Sequence, residues 1–357
     1  MRLKNLSLSI LLLLLLTNCS VTSEDKDGLS ITGEFGSRAL QDQQVYTLET
    51  HGNHLFAGTS QGMVFFNISS GLERSGAFMQ KSAVPTFAIS ADDNWLISAD
   101  FGADSASSGI YRSTDRGSSW RRYDNGFGGN RQLIPYTMDV SDENPSVIFA
   151  RSAALSVVAK SSDAGQSWQS VIQSWENPNL GTSSFVKINP HHPENVWAGG
   201  ATAIFRPSLL KSEDHGENWT GFLVIKDVET TVHDIASHPS QPRTVLAGMA
   251  GAIEPANIIR KSTDGGETWE TVLEGINTRT LTHSAADPAV VYASGRNAAG
   301  SLFFVASGDF GESWDTVEWE DSPAGVQIND MVSVIEDGRE VLYFGTNKGI
   351  FSYTFNE

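Results

Sequence analysis

The chain has 357 residues, with 42 Asp and Glu against 24 Lys and Arg, and its formal net charge is −18. Because binding to DNA or RNA is driven by Lys and Arg that neutralise phosphates, this balance argues against a nucleic-acid partner. Hydrophobic residues make up 39% of the chain and aromatic residues 10%, which excludes a disordered acidic polymer.

The first 18 residues have the pattern of a targeting segment. Arg2 and Lys4 precede an apolar run over 6–16 that is too short to span a bilayer but is typical of a signal peptide. The run ends in Leu-Thr-Asn-Cys19, which resembles a bacterial lipoprotein signal, although Asn18 stands where that family usually has Gly, Ala or Ser. The resemblance implies cleavage before Cys19 and lipidation of that cysteine. The alternative is an ordinary secretory signal with an incidental cysteine.

Cys19 is the only cysteine of the chain. Once it is acylated, no disulfide, thiolate nucleophile or cysteine-ligated metal remains available. Residues 19–30 are polar and predict a flexible tether ahead of a folded domain over 31–357. We therefore expect an extracytoplasmic protein held on the membrane by lipid, facing either the periplasm or the cell surface.

The octapeptide Ser-x-Asp-x-Gly-x-x-Trp occurs five times, and successive copies lie 45 to 51 residues apart. In such a segment the Asp side chain accepts backbone N–H groups two or three residues on, and the Gly allows a positive φ. The Ser hydroxyl ties the preceding strand to the turn, and the Trp buries its ring at the start of the next strand. Each copy therefore predicts a β-hairpin turn and not a catalytic carboxylate. The Asp and Trp residues are Asp115, Trp120, Asp163, Trp168, Asp214, Trp219, Asp264, Trp269, Asp309 and Trp314.

The octapeptide resembles the Asp-box, or BNR repeat, of sialidases, xyloglucan hydrolases, sortilin-type receptors and photosystem II assembly factors. The resemblance covers essentially the whole chain after the signal segment. It implies an all-β fold, a β-propeller in which each box lies between the third and fourth strands of a blade. It indicates little about activity.

The number of blades follows from the units around the octapeptides. Each octapeptide is preceded by two strand patterns joined by a turn rich in Asp, Asn and Pro, and two further units, 45–80 and 327–357, match each other without an octapeptide. The sequence thus predicts seven four-stranded blades, with six as the alternative if one terminal unit lies outside the ring. The last unit has three strands, so Ile31 to Phe35 is expected to supply its fourth and close the ring.

Ligands of propeller families generally bind around the central channel, on the face opposite the Asp-boxes. On this face we expect the starts of the first strands and the loops between second and third strands. The residues predicted to bind a ligand there are Arg151, Arg206, His233, Arg279, Arg296 and Asp330. Several guanidinium groups at one channel mouth predict an anion or carboxylate site.

Purely structural roles for these residues stay open. Each Arg can instead pair with a neighbouring acid on a solvated rim, where ion pairs contribute little, and His233 can satisfy a local hydrogen bond beside Asp234. The adjacent His191 and His192 lie in a Pro-flanked turn and point apart, so they predict turn chemistry. We predict no metal site and no cofactor.

Three functions are consistent with these observations. The favoured one is a monomeric, non-catalytic propeller at the cell envelope that binds a protein or glycan partner. The second is a sialidase-like glycosidase, which would use Asp100, Tyr136 and Glu254 as catalytic groups, although the N-terminal Phe/Tyr-Arg-Ile-Pro motif of that family is absent. The third is a xyloglucanase-like hydrolase, whose cleft lies between two propellers where this sequence predicts one. The basic patch of the photosystem assembly factors is not matched by so acidic a chain.

Overall fold

The computed structural model describes residues 31–41, 43–102, 107–123, 135–152, 157–172, 182–251, 257–296 and 302–356. These residues form 28 β-strands in seven four-stranded antiparallel sheets, together with one short 3-10 turn, Ile68–Ser70. Within these ranges no helix is long and apolar enough to cross a membrane.

Six of the sheets follow the chain from their innermost to their outermost strand, the seventh takes its outermost strand from the N-terminus, and we call the sheets blades 1 to 7. Blade 1 contains β2 (Val45–His51), β3 (His54–Thr59), β4 (Gly62–Asn67) and β5 (Glu73–Phe78). Blade 2 contains β6 (Phe87–Ile89), β7 (Trp95–Ala99), β8 (Gly109–Ser113) and β9 (Arg121–Arg122). Blade 3 contains β10 (Pro135–Val140), β11 (Ile148–Ser152), β12 (Val157–Ser161) and β13 (Gln169–Ile172).

The remaining blades repeat the same order. Blade 4 contains β14 (Thr182–Ile188), β15 (Val196–Ala201), β16 (Pro207–Ser212) and β17 (Thr220–Leu223). Blade 5 contains β18 (Thr231–Ser237), β19 (Val245–Ala250), β20 (Ile258–Ser262) and β21 (Glu270–Glu274). Blade 6 contains β22 (Thr280–His283), β23 (Val291–Arg296), β24 (Leu302–Ser307) and β25 (Asp315–Glu318). Blade 7 contains β26 (Ile328–Glu336), β27 (Arg339–Thr346), β28 (Gly349–Phe355) and the N-terminal strand β1 (Gly33–Ala39).

The N-terminal strand closes the ring. β1 pairs antiparallel with β28, with Gly33 opposite Phe355 and Ala39 opposite Ile350. The predicted fourth strand of the last blade is therefore confirmed, although it starts two residues after Ile31 and continues beyond Phe35. The result is a single seven-bladed β-propeller, and the six-bladed alternative is wrong.

The hydrophobic core is divided among the interfaces between blades. Seven clusters of buried side chains each combine residues of two neighbouring blades, and together they cover every interface of the ring. The cluster between blades 7 and 1 includes Val45, Leu55 and Tyr343. Because burial of apolar surface stabilises each interface, the blades hold one another in a closed circle.

The octapeptides form a shared turn at the outer end of the third strand. In all five copies the Ser Oγ donates to the Asp carboxylate at 2.7–2.8 Å and accepts the Gly N–H at 2.6–2.8 Å. The expected bond from the N–H three residues on is formed to Asp163 and to Asp214, at 3.0 Å, and in all five copies the Asp also accepts the N–H four residues on, at 2.8–2.9 Å. The additional bond reflects a longer turn than we expected, since the residue before each Gly also has a positive φ.

The Trp rings are less buried than expected. Trp168 is buried, whereas the Trp residues of the other four copies are half-buried, and each Trp directly precedes its fourth strand. The indole N–H of Trp219 and that of Trp269 each donate to the carbonyl of the Gly in the same octapeptide, at 3.0 and 2.9 Å. In these two copies the Trp side chain therefore adds a hydrogen bond that stabilises the turn.

Candidate functional site at the channel mouth

A bulge shapes the start of the first strand in five blades. The pairing of first and second strands skips one residue there, and the skipped residues are Tyr46, Tyr136, Ser184, His233 and Asn329. A bulge redirects the side chain of the extra residue, and all five residues line a cavity of about 350 Å³ at the centre of the ring. Pro85 and Arg279 occupy the corresponding places in blades 2 and 6.

In several blades the residue after the bulge, or after its counterpart Pro85, joins neighbouring blades through its side chain. Thr86 accepts the N–H of Met138 at 3.0 Å, and Thr137 accepts that of Val186 at 3.2 Å. In blades 5 and 7 a carboxylate takes this place. Asp234 accepts the N–H of Leu281 at 2.9 Å, and Asp330 accepts the N–H of Leu48 at 2.8 Å, between blades 7 and 1. These polar groups therefore support the ring beneath the mouth.

Arg151 lies near the mouth end of β11, the end that pairs with the start of β10. Its side chain is 8% exposed, and its Nε is buried without a hydrogen-bond partner among the described residues. Burial lowers the pKa of Arg151 to about 10, against an opposing contribution from Tyr136. The guanidinium therefore stays charged at neutral pH in a place where a charge is poorly solvated.

His233 lies in the same cluster and is neutral at pH 7. Burial lowers its pKa to about 4, and the positive charges of Arg279 and Arg151 lower it further, against a hydrogen bond with the backbone of Ala250. That backbone partner, and not Asp234, satisfies the imidazole. His233 thus places both arginines near one point of the mouth.

Arg279 and Arg296 meet on the blade 6 side. Both line a smaller cavity of about 130 Å³, together with the amides of Asn277 and Asn329. Arg296 donates from Nη2 to the carbonyl of Val326 at 2.5 Å. Burial, and then the charge of Arg296, lowers the pKa of Arg279. Ser294 Oγ, in the wall of this cavity, is buried and has no hydrogen-bond partner in the described part of the chain.

The acids near these arginines are engaged elsewhere. Asp330 accepts the Thr47 hydroxyl at 3.0 Å and the N–H of Met331 at 2.8 Å, besides the bond between blades 7 and 1, and burial raises its pKa to about 6. Asp234 forms an ion pair with Lys187 at 2.7 Å. In the described ranges no ion pair joins a carboxylate to any of the four predicted arginines. The alternative in which each arginine pairs with a neighbouring acid therefore finds no support in the described ranges.

Comparison with known proteins indicates a fold and no family. No family model and no curated protein sequence matches the chain. The GH74 xyloglucanase from Xanthomonas campestris matches 90% of this chain and 53% of its own, with a TM-score of 0.65 and 16% identity. YCF48 bound to a D1 peptide matches 92% of this chain and 97% of its own, with a TM-score of 0.65 and 14% identity. YCF48 from Cyanidioschyzon merolae matches 90% and 98%, with a TM-score of 0.62 and 13% identity.

These likenesses show the seven-bladed propeller alone. The chain spans about half the length of the xyloglucanase and nearly all of YCF48. The similar structures include hydrolases as well as a protein that binds a peptide, so the fold is compatible with either kind of function.

The structure brings most of the predicted site residues together. Tyr136, His233, Arg279 and Asp330 line the central cavity, Arg296 lines the adjoining one, and Arg151 lies beside Tyr136 and His233. Arg206 lies on the same face but lines neither cavity. Asp100 is near Tyr46, whose pKa it helps to raise, and accepts the N–H of Gly102 at 2.8 Å in a local turn. Glu254 and Cys19 lie outside the described residues.

Sequence reasoning missed the charged residues deeper in the channel. Asp139 accepts the N–H of Ile188 at 2.6 Å, and burial raises its pKa to about 7. Lys187 bridges to Asp234 from the equivalent position of the next blade. The signal was present in the first strands, since Tyr46-Thr-Leu-Glu49 and Tyr136-Thr-Met-Asp139 repeat one pattern. The turn predicted for His191 and His192 is formed, with both N–H groups donating to Asn189 Oδ1.

Proposed function

We propose that this protein is a non-catalytic binding propeller of the cell envelope, and that its channel mouth binds an anionic group of a protein or glycan partner. The observation that carries the proposal is that Arg279 shares one cavity with Arg296 and lies with Arg151 near His233, and that none of these three arginines has a carboxylate partner in the described chain. A protein of net charge −18 has many acids with which to neutralise such a cluster, yet the nearby ones bind backbone groups.

The energetics favour an anionic ligand. A buried charge without a partner is costly, and a carboxylate placed between guanidinium groups offsets that cost through charge-assisted, bidentate hydrogen bonds. Arg279 and Arg296 share a cavity whose further polar groups are amides and a free hydroxyl. Such groups hydrogen-bond an anion without competing with it for charge.

The carboxylates of the channel do not favour a hydrolase. Glycosidases use two carboxyl groups that face the scissile bond, whereas Asp234 and Asp330 each accept backbone N–H groups of a neighbouring blade. The N-terminal segment supports attachment to the envelope, because its signal pattern ends at Cys19.

The test is binding of labelled anionic probes measured by fluorescence anisotropy. We expect wild-type protein to bind a polyglutamate peptide or sialyllactose more tightly than a polylysine peptide, with affinity falling as salt screens the charges. The variant Arg279→Gln/Arg296→Gln should weaken that binding about tenfold or more, because it removes two charge-assisted contacts. Arg339→Gln, an exposed arginine in the β26–β27 turn on the opposite face, is the matched control.

Two outcomes would contradict the proposal. Equal binding by the double variant and wild type would show that the mouth is not the anion site. Release of fluorophore from aryl sialosides or from aryl β-glucosides, lost in a Tyr136→Phe or Asp100→Asn variant, would instead identify a glycosidase.

A further inference from the structure

The loop between β15 and β16 presents two apolar side chains to solvent in a fixed conformation. Thr202 exchanges hydrogen bonds with Arg206, through N–H to carbonyl at 2.7 Å and through the Arg206 N–H to the threonine hydroxyl at 3.0 Å. The Phe205 N–H donates to the Thr202 carbonyl at 2.9 Å. Between these contacts Ile204 is 68% exposed and Phe205 59% exposed.

The conformation of this loop is costly on its own. Phe205 has a φ of +57°, in the left-handed region that bulky side chains rarely adopt. Its carbonyl accepts the N–H of Thr230 at 3.0 Å, three residues before His233, which ties the loop to the channel mouth. The strained φ of Phe205 opposes folding, and neighbouring exposed apolar side chains are typical of an interaction site, so the loop points to a use outside the folded core.

Exposed apolar residues concentrate on the mouth face. Among the described residues five large hydrophobic side chains are exposed, and four of them lie at the mouth ends of their strands or loops: Tyr136, Ile204, Phe205 and Leu223. Three of these four belong to blade 4. Ile335, the fifth, is in the β26–β27 hairpin at the opposite face.

We propose that the 202–206 loop docks an acidic protein segment that also carries exposed apolar side chains. The inference rests on the proposed function, since it names the class of partner that would occupy the mouth. The apolar pair is followed directly by Arg206, which forms no ion pair with a carboxylate in the described ranges, and it lies on the same face of the propeller as Arg151 and Arg279. An acidic segment complements that charge, and its apolar residues cover Ile204 and Phe205.

The charges also argue against two other occupants. An anionic membrane is an extended surface that would face the acidic surroundings of the mouth as well as its arginines, and a chain of net charge −18 would repel it, whereas a narrow acidic segment meets the arginines alone. A second copy would bring a like-charged mouth against this one, because the same basic residues would face each other across a two-fold interface.

The experiment compares two labelled peptides of equal charge by fluorescence anisotropy. One is rich in Glu and carries Leu and Phe, and in the other Ser replaces both apolar residues. We expect wild-type protein to prefer the first peptide about tenfold, as a single well-packed apolar anchor does at an interface. Ile204→Ser/Phe205→Ser should abolish the preference while leaving binding of the Ser peptide unchanged. Ile335→Ser is the matched control and should behave as wild type.

Phe205→Asn serves as a second variant, because Asn adopts a positive φ readily and keeps the loop conformation. It should weaken binding of the apolar peptide without lowering the melting temperature. If both peptides bind wild type equally, the docking inference is wrong and the anion site stands. If neither peptide binds, both proposals fail. Loop-dependent binding to phosphatidylcholine–phosphatidylglycerol vesicles, or loop-dependent dimers in sedimentation, would each overturn the inference in favour of that occupant.

Discussion

At the scale of single residues, the same side-chain type serves opposite purposes in this fold. Asp264 lies in an exposed octapeptide turn, where hydrogen bonds from the side chain and backbone of Thr268 lower its pKa to about 2. Asp139 lies inside the channel, where burial raises its pKa to about 7. The difference is one of solvation and hydrogen bonding, so the place of each aspartate in the fold sets its pKa.

Asp264→Ala should destabilise the protein while leaving the mouth unaffected. It removes the acceptor for Thr268 and for Ser262, so the free energy of unfolding should fall by about 1–3 kcal/mol. Chemical denaturation measures the change, and Asp227→Ala, an exposed aspartate outside the octapeptides, is the control. Anion binding at permissive temperature should be unchanged. A loss of binding at full folding would place the octapeptide turns in the site.

Asp139→Asn should change how stability depends on pH. Because the folded pKa is raised from 3.8 to about 7, the folded state holds a proton that the unfolded state has lost in this range. The contribution of Asp139 to stability is therefore present below pH about 4 and is lost as pH rises to about 7. Asn cannot titrate but still accepts the Ile188 N–H. Urea unfolding across this range should show a smaller loss of stability with rising pH in the variant, and identical profiles would contradict the assigned pKa.

At the scale of elements, the octapeptides made the fold predictable and the channel only partly so. Each octapeptide marks a third-to-fourth strand turn through its own hydrogen bonds, so counting units was enough to find seven blades and the missing fourth strand. The extent of β1 was not predictable, because residues 36–39 lack an alternating pattern and are ordered by pairing with β28. Contacts between blades, such as Asp330 with Leu48, join residues 282 apart and leave no local pattern.

For the loops, too, the sequence predicts the face on which a residue lies but not its contacts. Arg151, Arg279 and Arg296 could be assigned to one face from blade topology alone, whereas their lack of acid partners depends on which backbone groups the neighbouring acids accept. Arg206 was predicted beside them because its loop is on that face. The structure turns the loop so that Ile204 and Phe205 are exposed, and that outcome depends on hydrogen bonds between Thr202 and Arg206.

At the scale of the whole molecule, a small group of arginines lies at one face of a strongly acidic protein. Acidic surroundings repel a negatively charged partner except where the mouth attracts it, which favours one orientation of approach over others. A partner that needs both contacts would then be selected by the spacing of its acidic and apolar residues as well as by its composition. Attachment of the N-terminus to a membrane would increase this selectivity further, because it restricts the protein to partners at that membrane.

Cys19→Ser tests that attachment on the intact protein. Removal of the thiol prevents acylation, and the resemblance to a lipoprotein signal implies that the acyl chains hold the protein on the membrane. The variant should therefore move from the membrane fraction to the soluble fraction, and mass spectrometry should show acyl chains on the wild-type N-terminus alone. Binding of the polyglutamate probe by the soluble variant should equal that of wild type. A wild-type protein found soluble, with a free thiol, would instead support the ordinary secretory signal.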